Sequence, residues 1–364
     1  MYQCLIPLTK PIHFQKRNMK KSILEYTETC RFCMNMCRFS CPVAEAEKNE
    51  IYTPFMKMTA LGKLAQGKAA ENEWRELLWY CTNCNLCTTH CIHGIPVSEA
   101  LISGRHQFPT SSFVQKGQEA LKIERDEILS HWPKVAKKIN ALSLQEIPEG
   151  SRVFIPDAHA IVHKPSVVVK AYEFLQAKYP DMISMFPESL HTLELYELGL
   201  WDDAKKQLAN LTGKTAFYVC QDPALAWALE ELPSILDVVK NSQAQSLWHE
   251  ELPHLEISNF QLLFSSYENR KLKEAYTKHE KSYAAQVPSY PSMEKQNPAS
   301  DSAIFSFLFP SAHQRMIQKK WDEVIARKGD LICTRFWDTL QMSKGKPKHV
   351  KRKVRYLGEF LSVK

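Results

Sequence analysis

The sequence predicts an α+β multidomain protein: a mostly helical, cysteine-rich amino-terminal domain, a helical connector, and an α/β layered pair of related modules. Three observations lead there. Eight of the 11 cysteines fall in two tight groups, Cys30 to Cys41 and Cys81 to Cys91. After residue 150, short β-like runs alternate with helical stretches, the pattern of a layered α/β domain. The length of 364 residues exceeds one domain on a prior of roughly 150 residues each. The expected divisions are an extension over 1–21, a cysteine domain over 22–110, a connector over 111–150, and modules over 151–256 and 257–364.

Composition sets the outer limits. With 44% hydrophobic and 24% charged residues, the chain is globular in character and neither collagen-like nor disordered. No stretch approaches the roughly 18 unbroken apolar residues of a membrane-spanning helix, so membrane contact is expected only through a partner. The formal charge of +7 is local. From Gln341 onward, Lys344, Lys346, Lys348, Lys351, Arg352, Lys353, Arg355 and Lys364 face a single acid, Glu359. Such a run is a solvated face or a docking patch for an acidic partner. Because the excess sits at one end without aromatic interleaving, no nucleic acid is expected.

In the extension, Leu5 to Leu8 is too short for a secretory leader and is followed by Lys10, Lys16, Arg17, Lys20 and Lys21. Met19 is an alternative start, which would leave Met1 to Asn18 without function. Clustered cysteines and this amino terminus imply a reducing, cytoplasmic setting, with a peripheral position at the inner face of the membrane through a partner.

The cysteine domain carries the chemistry. Its first group is Cys30-Arg-Phe-Cys33-Met-Asn-Met-Cys37-Arg-Phe-Ser-Cys41-Pro42; its second is Cys81-Thr-Asn-Cys84-Asn-Leu-Cys87-Thr-Thr-His-Cys91. The second group is C-x2-C-x2-C-x3-C, the bacterial ferredoxin run. Three thiolates on one short loop grip three corners of a cubane, while turn amides point at its sulfurs. Cys4 zinc sites or free core thiols are the alternatives. Structural zinc, however, uses C-x2-C pairs separated by a longer loop, so the spacing points to two 4Fe-4S clusters. In two-cluster ferredoxins the fourth cysteine ligates the other cluster. By that likeness, cluster one would take Cys30, Cys33, Cys37 and Cys91, and cluster two Cys81, Cys84, Cys87 and Cys41. The pattern has two departures. Met34, Asn35 and Met36 make one spacer a residue too long, so that loop must bulge, and Ile92 stands where proline usually follows the last cysteine, with Pro96 later. Phe32, Met34, Met36, Phe39, Leu86 and Ile92 are expected to form a shell that limits solvent near the clusters.

Between the groups, Thr53 to Gln66 and Glu71 to Tyr80 read as helices, with Met56, Ala60, Leu61 and Leu64 on one face and Trp74, Leu77 and Leu78 on another. The run Leu78-Trp79-Tyr80-Cys81-Thr82-Asn83-Cys84-Asn85-Leu86-Cys87, followed by His93-Gly94-Ile95-Pro96-Val97-Ser98-Glu99-Ala100-Leu101, is specific. It resembles the ferredoxin domain of the family that contains the iron-sulfur subunits of glycolate oxidase, of anaerobic glycerol-3-phosphate dehydrogenase and of heterodisulfide reductase.

The connector, Ser112 to Gln145, reads as helical with Pro133 as a kink or break. It ends at Pro148-Glu149-Gly150. Beyond it, strands are expected at Arg152 to Ile155, Thr215 to Cys220, Gln261 to Phe264 and Asp330 to Thr334. Helices are expected at Val167 to Lys178, Leu198 to Leu211, Pro223 to Val239 and Ala312 to Arg327. A repeat of about 100 residues shows in Phe217-Tyr218-Val219-Cys220 then Trp248 to Leu252, against Asp330-Leu331-Ile332-Cys333 then Leu357 to Leu361. The polar stretch Ser282 to Ser302 reads as a loop in the second copy.

This layout resembles the paired CCG modules that follow the ferredoxin domain in the same family. Members doing chemistry there carry a Cys-Cys-Gly and a C-x2-C per module. Here both Cys-Cys-Gly runs are missing, Ile155-Pro156-Asp157 stands where Gly-Cys is expected, and only Cys220 and Cys333 remain. The resemblance therefore implies degenerate modules kept as a scaffold or docking surface. Cys220 and Cys333 read as small buried hydrophobes. His159, His163 and His191, which by the resemblance line the former cluster site, lack metal-ligand spacing. Cys4 has no evident partner.

These readings converge on an electron-transfer subunit: two 4Fe-4S clusters relaying single electrons between a flavoprotein dehydrogenase and a quinone or redox-protein acceptor, with no substrate site of its own. The alternatives are a stand-alone heterodisulfide- or quinone-reductase-like enzyme, and a non-redox binding protein with structural clusters.

Overall fold

Apolar residues at three- and four-residue spacing make the amino-terminal part helical. The computed structural model describes residues 19–33, 36–68, 72–186, 191–250, 260–263, 302–325 and 329–361. Its first helices are α1 (Met19–Arg31), α2 (Pro42–Glu47), α3 (Pro54–Ala65), α4 (Asn72–Leu77), α5 (Leu86–Thr89) and α6 (Val97–Gln107). Proline opens α2 and α3, where its missing N–H has no helical partner to lose. Thr53 caps α3, its hydroxyl accepting from Met56 N at 3.4 Å. The middle of α3 buries Met58, Ala60, Leu61 and Leu64 and packs on α1, α4 and α6. The approach to α6 is close because Gly104 has no side chain: a Cβ there would stand 2.7 Å from Leu61 Cδ1.

Helix α7 (Ser111–Ala136) buries Leu121, Ile128 and Val135 at seven-residue intervals. Pro133 lies in its last turn, and the helix stops three residues later. The expected connector helix is therefore shorter than the sequence pattern suggested, its remainder including a 3-10 turn at Leu144–Glu146.

Two small parallel sheets follow. The first contains β1 (Arg152–Ile155), β2 (Ile183–Ser184), β3 (Phe217–Cys220) and β4 (Gln243–Ser246) in the order β2-β1-β3-β4. Ile155 pairs with Cys220 and Cys220 with Ser246 at the strand ends. The second contains β5 (Phe260–Leu263), β6 (Asp330–Cys333) and β7 (Val354–Tyr356) in that order, with Cys333 between Leu263 and Tyr356. Parallel strands covered on both faces read as unbroken apolar runs, which is why β1, β3 and β6 are visible in the sequence. The sequence did not reveal β2, β4 and β7: β2 is two residues long, β4 is the polar Gln-Ala-Gln-Ser, and β7 is Val-Arg-Tyr. The helix expected from Leu198 to Leu211 is present as Trp201–Thr212, and a separate short helix, Thr192–Glu197, which the sequence did not reveal, precedes it. They part at Gly199, whose φ of +76° and approach to the His106 backbone, 2.9 Å from a notional Cβ, exclude a side chain.

The sheets share a core. Phe154, Val219, Trp248, Ile332 and Tyr356 belong to one buried cluster, and Trp248 Nε1 donates to Thr334 O at 2.8 Å. Two residues past β6, Arg335 donates to both carboxylate oxygens of Asp222, two residues past β3, at 3.0 and 3.2 Å. The carboxyl ends of the two sheets are thereby tied together. Among the described residues the chain is mostly helical with a small parallel β component. Met34, Phe264, Glu251, Leu252, most of the Ser282 to Ser302 loop and the Met1 to Asn18 extension lie outside the described residues.

Candidate metal centre

Eight cysteines come together as two sets, each drawing three thiols from one loop and one from the other. Burial pushes the Cys30 thiol up to about 12, and the nearby Cys91, Cys37 and Cys33 add to the shift. Cys37 is raised to about 11, again by burial first, with Cys91, Cys33 and Cys41 contributing. The second set gathers around Cys87, whose thiol burial raises well above 9, with Cys84, Cys81, Cys41 and Cys37 adding to it. Cys37 neighbours both sets, so they lie side by side.

Local sequence explains the loops. Asn83 and Asn85 adopt left-handed φ values of 58° and 61°, a conformation asparagine tolerates better than other side-chain-bearing residues. These reversals wrap Cys81, Cys84 and Cys87 around one centre. Next to Cys91, the Ile95 N–H donates to Cys91 Sγ at 3.5 Å, and the Ser40 hydroxyl donates to Cys37 O at 2.8 Å.

The second set is the more enclosed: Cys41 and Cys87 are buried, Cys81 and Cys84 half-buried, and together they line a pocket with about 20 Å³ of free space, room for about one water. Its apolar cover includes Val43, Val97 and Leu101. Phe305, Ala312 and Met316, more than 250 residues further along the chain, share a buried cluster with Cys41, Val43 and Ala44. Tyr52 stacks on Tyr80 at 4.3 Å, and Tyr80 meets Phe309 at 4.1 Å. Thr82 and Ser98 also line the cavity, their hydroxyls buried without a partner. Lys57 joins them: its Nζ donates to Cys41 Sγ at 3.6 Å.

A buried clamp holds this loop. Arg105 on α6 donates to Leu78 O at 3.0 Å, Glu197 O at 3.0 Å and Cys81 O at 2.9 Å. The Asn83 amide donates to Glu197 Oε1 at 3.1 Å, and the Ser302 hydroxyl to Glu197 Oε2 at 2.5 Å. Sequence reasoning missed Arg105 and Lys57, although a signal existed. Lys57 falls three, four and seven residues before Ala60, Leu61 and Leu64, inside the apolar stripe, and Arg105 follows Leu101 by four residues and Val97 by eight, inside the stripe of α6.

The first set is the more open of the two, all four cysteines being half-buried, and the side chains expected to shield it do not. Phe32 is 88% exposed, Phe39 71% and Ile92 79%. Each stands one or two residues from Cys33, Cys37 or Cys91, and at that exposure none forms the cover expected of it. Of the expected shell, Leu86 is buried; Met34 and the Met36 side chain lie outside the described residues.

The remaining candidates lie elsewhere. Cys220 and Cys333 are fully buried at the ends of β3 and β6, and burial raises both thiols well above 9. His159 Nδ1 meets Glu124 Oε1 at 3.1 Å and His191 Nδ1 lies 3.9 Å from Glu124 Oε2, and His163 is near enough to His159 to act on its charge. Burial keeps His159 and His191 below the usual histidine range and raises Glu124 to about 7. Among the described residues, no three His, Cys, Asp or Glu side chains converge closely enough for a single ion.

The cysteine sets fit a different group. In a cubane each thiolate binds its own iron, so four sulfurs are spread around a core, unlike the four that share one zinc at about 2.3 Å. The all-thiol donor set of Cys41, Cys81, Cys84 and Cys87 around one pocket suits a 4Fe-4S cluster. Residues 26–95 match the family model of a 4Fe-4S dicluster domain, which supports an iron-sulfur protein with a ferredoxin-like domain. No curated protein and no solved structure matches the chain. Among the described residues, no helix is long and apolar enough to cross a membrane.

Proposed function

We propose that this chain is the electron-transfer subunit of an oxidoreductase, passing single electrons between a flavoprotein dehydrogenase and a downstream quinone or redox-protein acceptor. The observation that carries the reading is the exchange of cysteines between loops: Cys91 lies with Cys30, Cys33 and Cys37, and Cys41 with Cys81, Cys84 and Cys87. Those are the residues that would hold the two clusters. Bound there, two 4Fe-4S clusters would supply one-electron centres whose potentials follow net charge, hydrogen bonds to sulfur and solvent exposure.

The chain's own residues do the rest. Cys37 spans the gap between the two sets, Arg105 fixes the Cys81 carbonyl, and the cover from Phe305 and Met316 keeps water from Cys41. Phe32, Phe39 and Ile92 are exposed next to Cys33, Cys37 and Cys91 in the chain, and a redox partner would bring its own cofactor near there. The two parallel-sheet units are read as degenerate CCG-like modules acting as a scaffold. Buried thiols with strongly raised pKa values are inert, which disfavours a thiol-based reductase at Cys220 or Cys333. The expected setting is cytoplasmic, with membrane contact only through a partner.

Anaerobic iron and sulfide analysis with low-temperature EPR tests this reading. Two four-iron clusters give about eight irons per chain and a pair of interacting signals on reduction. Protein carrying zinc alone, or iron near four per chain, would refute it.

A further inference from the structure

Lys57 is out of place in an apolar pocket. Its side chain is 1% exposed, and it lies on α3 among the buried Met58, Ala60, Leu61 and Leu64. Its Nζ donates to Cys41 Sγ at 3.6 Å. A buried ammonium facing no carboxylate is costly, and proteins retain one where an anion meets it. The same sulfur lies 3.7 Å from Tyr52 O, and Cys41 Sγ is the atom of the cysteine set that the Lys57 ammonium reaches directly. Four thiolates around a four-iron core carry net negative charge, and each electron added increases it.

We infer that Lys57 is a positioning residue that makes the enclosed site the stronger electron acceptor of the pair. This rests on the function proposed above. A fixed, buried positive charge beside Cys41 would stabilise the reduced, more negative state of a cluster held by Cys41, Cys81, Cys84 and Cys87. A single electron shared with a cluster held by Cys30, Cys33, Cys37 and Cys91 would then favour the more enclosed site, with no bond made or broken and no proton transferred. Among the described residues the open set has no equivalent buried charge. Arg38 beside it is 44% exposed and paired with Glu50 at 3.2 Å, so solvent screens it. At an effective dielectric of about 20, a unit charge this close biases a one-electron equilibrium by about tenfold or more, which corresponds to about 59 mV.

The test is an anaerobic, EPR-monitored redox titration of the full chain as wild type, Lys57→Met, Lys57→Gln and Lys57→Arg, with iron content measured on each. The neutral variants should retain both clusters and lower one midpoint by about tenfold or more in the one-electron equilibrium. The other midpoint should hardly move, and Lys57→Arg should stay within about threefold of wild type. A parallel Cys84→Ser variant assigns the displaced signal to the enclosed site. Two clusters with unchanged midpoints in a neutral variant would overturn the inference. So would iron loss in Lys57→Arg equal to that in the neutral variants, which would mark a steric role. Absence of clusters from the wild type would instead refute the proposed function and leave the two failures distinguishable.

Discussion

Replacing Arg105 with methionine tests how the second cysteine loop is held. Arg105 is almost fully buried, and its three nitrogens each donate to a different carbonyl, those of Leu78, Glu197 and Cys81, at 2.9 to 3.0 Å. Its guanidinium also lies 5.2 Å from the centre of the Trp79 ring. Burial lowers its pKa, while Cys81 and Glu197 oppose the shift, and guanidinium remains charged in proteins. Methionine keeps most of the apolar stem's packing and removes all three donors. Each orphaned buried acceptor costs about 1–3 kcal/mol. Local relaxation takes part of that back, so the expected loss is about 3–5 kcal/mol, the range for breaking a buried charged network. Lysine has a point charge and cannot span three carbonyls, so Arg105→Lys should recover only about 1–2 kcal/mol. Anaerobic urea unfolding followed by tryptophan fluorescence gives the stability, and iron retention at low urea reports the loop. An Arg105→Met midpoint equivalent to less than about 0.5 kcal/mol of loss, the scale of an ordinary surface change, would refute the clamp.

The other expectations are quicker to check. Phe32→Ser and Ile92→Ser should leave folding stability within about 0.5 kcal/mol, because neither side chain gives up burial; a loss of about 2 kcal/mol or more by urea unfolding would mean they pack inside after all. Cys220→Ala should cost about 1 kcal/mol and leave iron content unchanged, and a missing cluster would contradict the scaffold assignment. Gly104→Ala puts a Cβ 2.7 Å from Leu61 Cδ1 and 3.1 Å from Leu78 Cδ1, so thermal or urea unfolding should show about 1–3 kcal/mol of overpacking; unchanged stability would sink that. Burial lowers the His313 pKa to about 4 from 6.5. A depressed folded value means its contribution is present above pH 6.5 and is lost as the pH falls toward 4. Between pH 7.5 and 5.5 the loss should be about 1.3 kcal/mol, and His313→Gln should flatten the stability profile by that much; identical profiles would be the contrary result.

Most elements whose identity depends on local pattern could be read directly. The spacing of Cys81, Cys84, Cys87 and Cys91 is a local constraint, as are the prolines opening α2 and α3 and the apolar runs of β3 and β6. What could not be read depends on neighbours distant in sequence. β4 is a strand because β3 offers it a free edge, and nothing in Gln-Ala-Gln-Ser demands that. The break at Gly199 exists because the end of α6 lies against it. The cover of Cys41 comes from Phe305 and Met316, which no spacing rule connects to the cysteines.

Apolar character at Phe32, Phe39 and Ile92 suggested burial, yet all three are exposed, while the charged Lys57 and Arg105, of which the sequence reading said nothing, are buried. The intervening Thr82, Asn83 and Leu86 of the second loop are buried as well, so cysteine spacing alone does not decide which side chains turn inward. Helices α3 and α6 are set by the remainder of their apolar stripes, so a charged residue within the stripe is carried inside regardless of its own preference. Burial there is repaired by specific partners: three carbonyls for Arg105, and a single sulfur for Lys57. A neutral thiol is an incomplete partner for an ammonium. That mismatch makes Lys57 the residue whose environment is understandable only when the enclosed cysteines carry negative charge, and it is why the potential of that site, more than its fold, tests the reading of the whole domain.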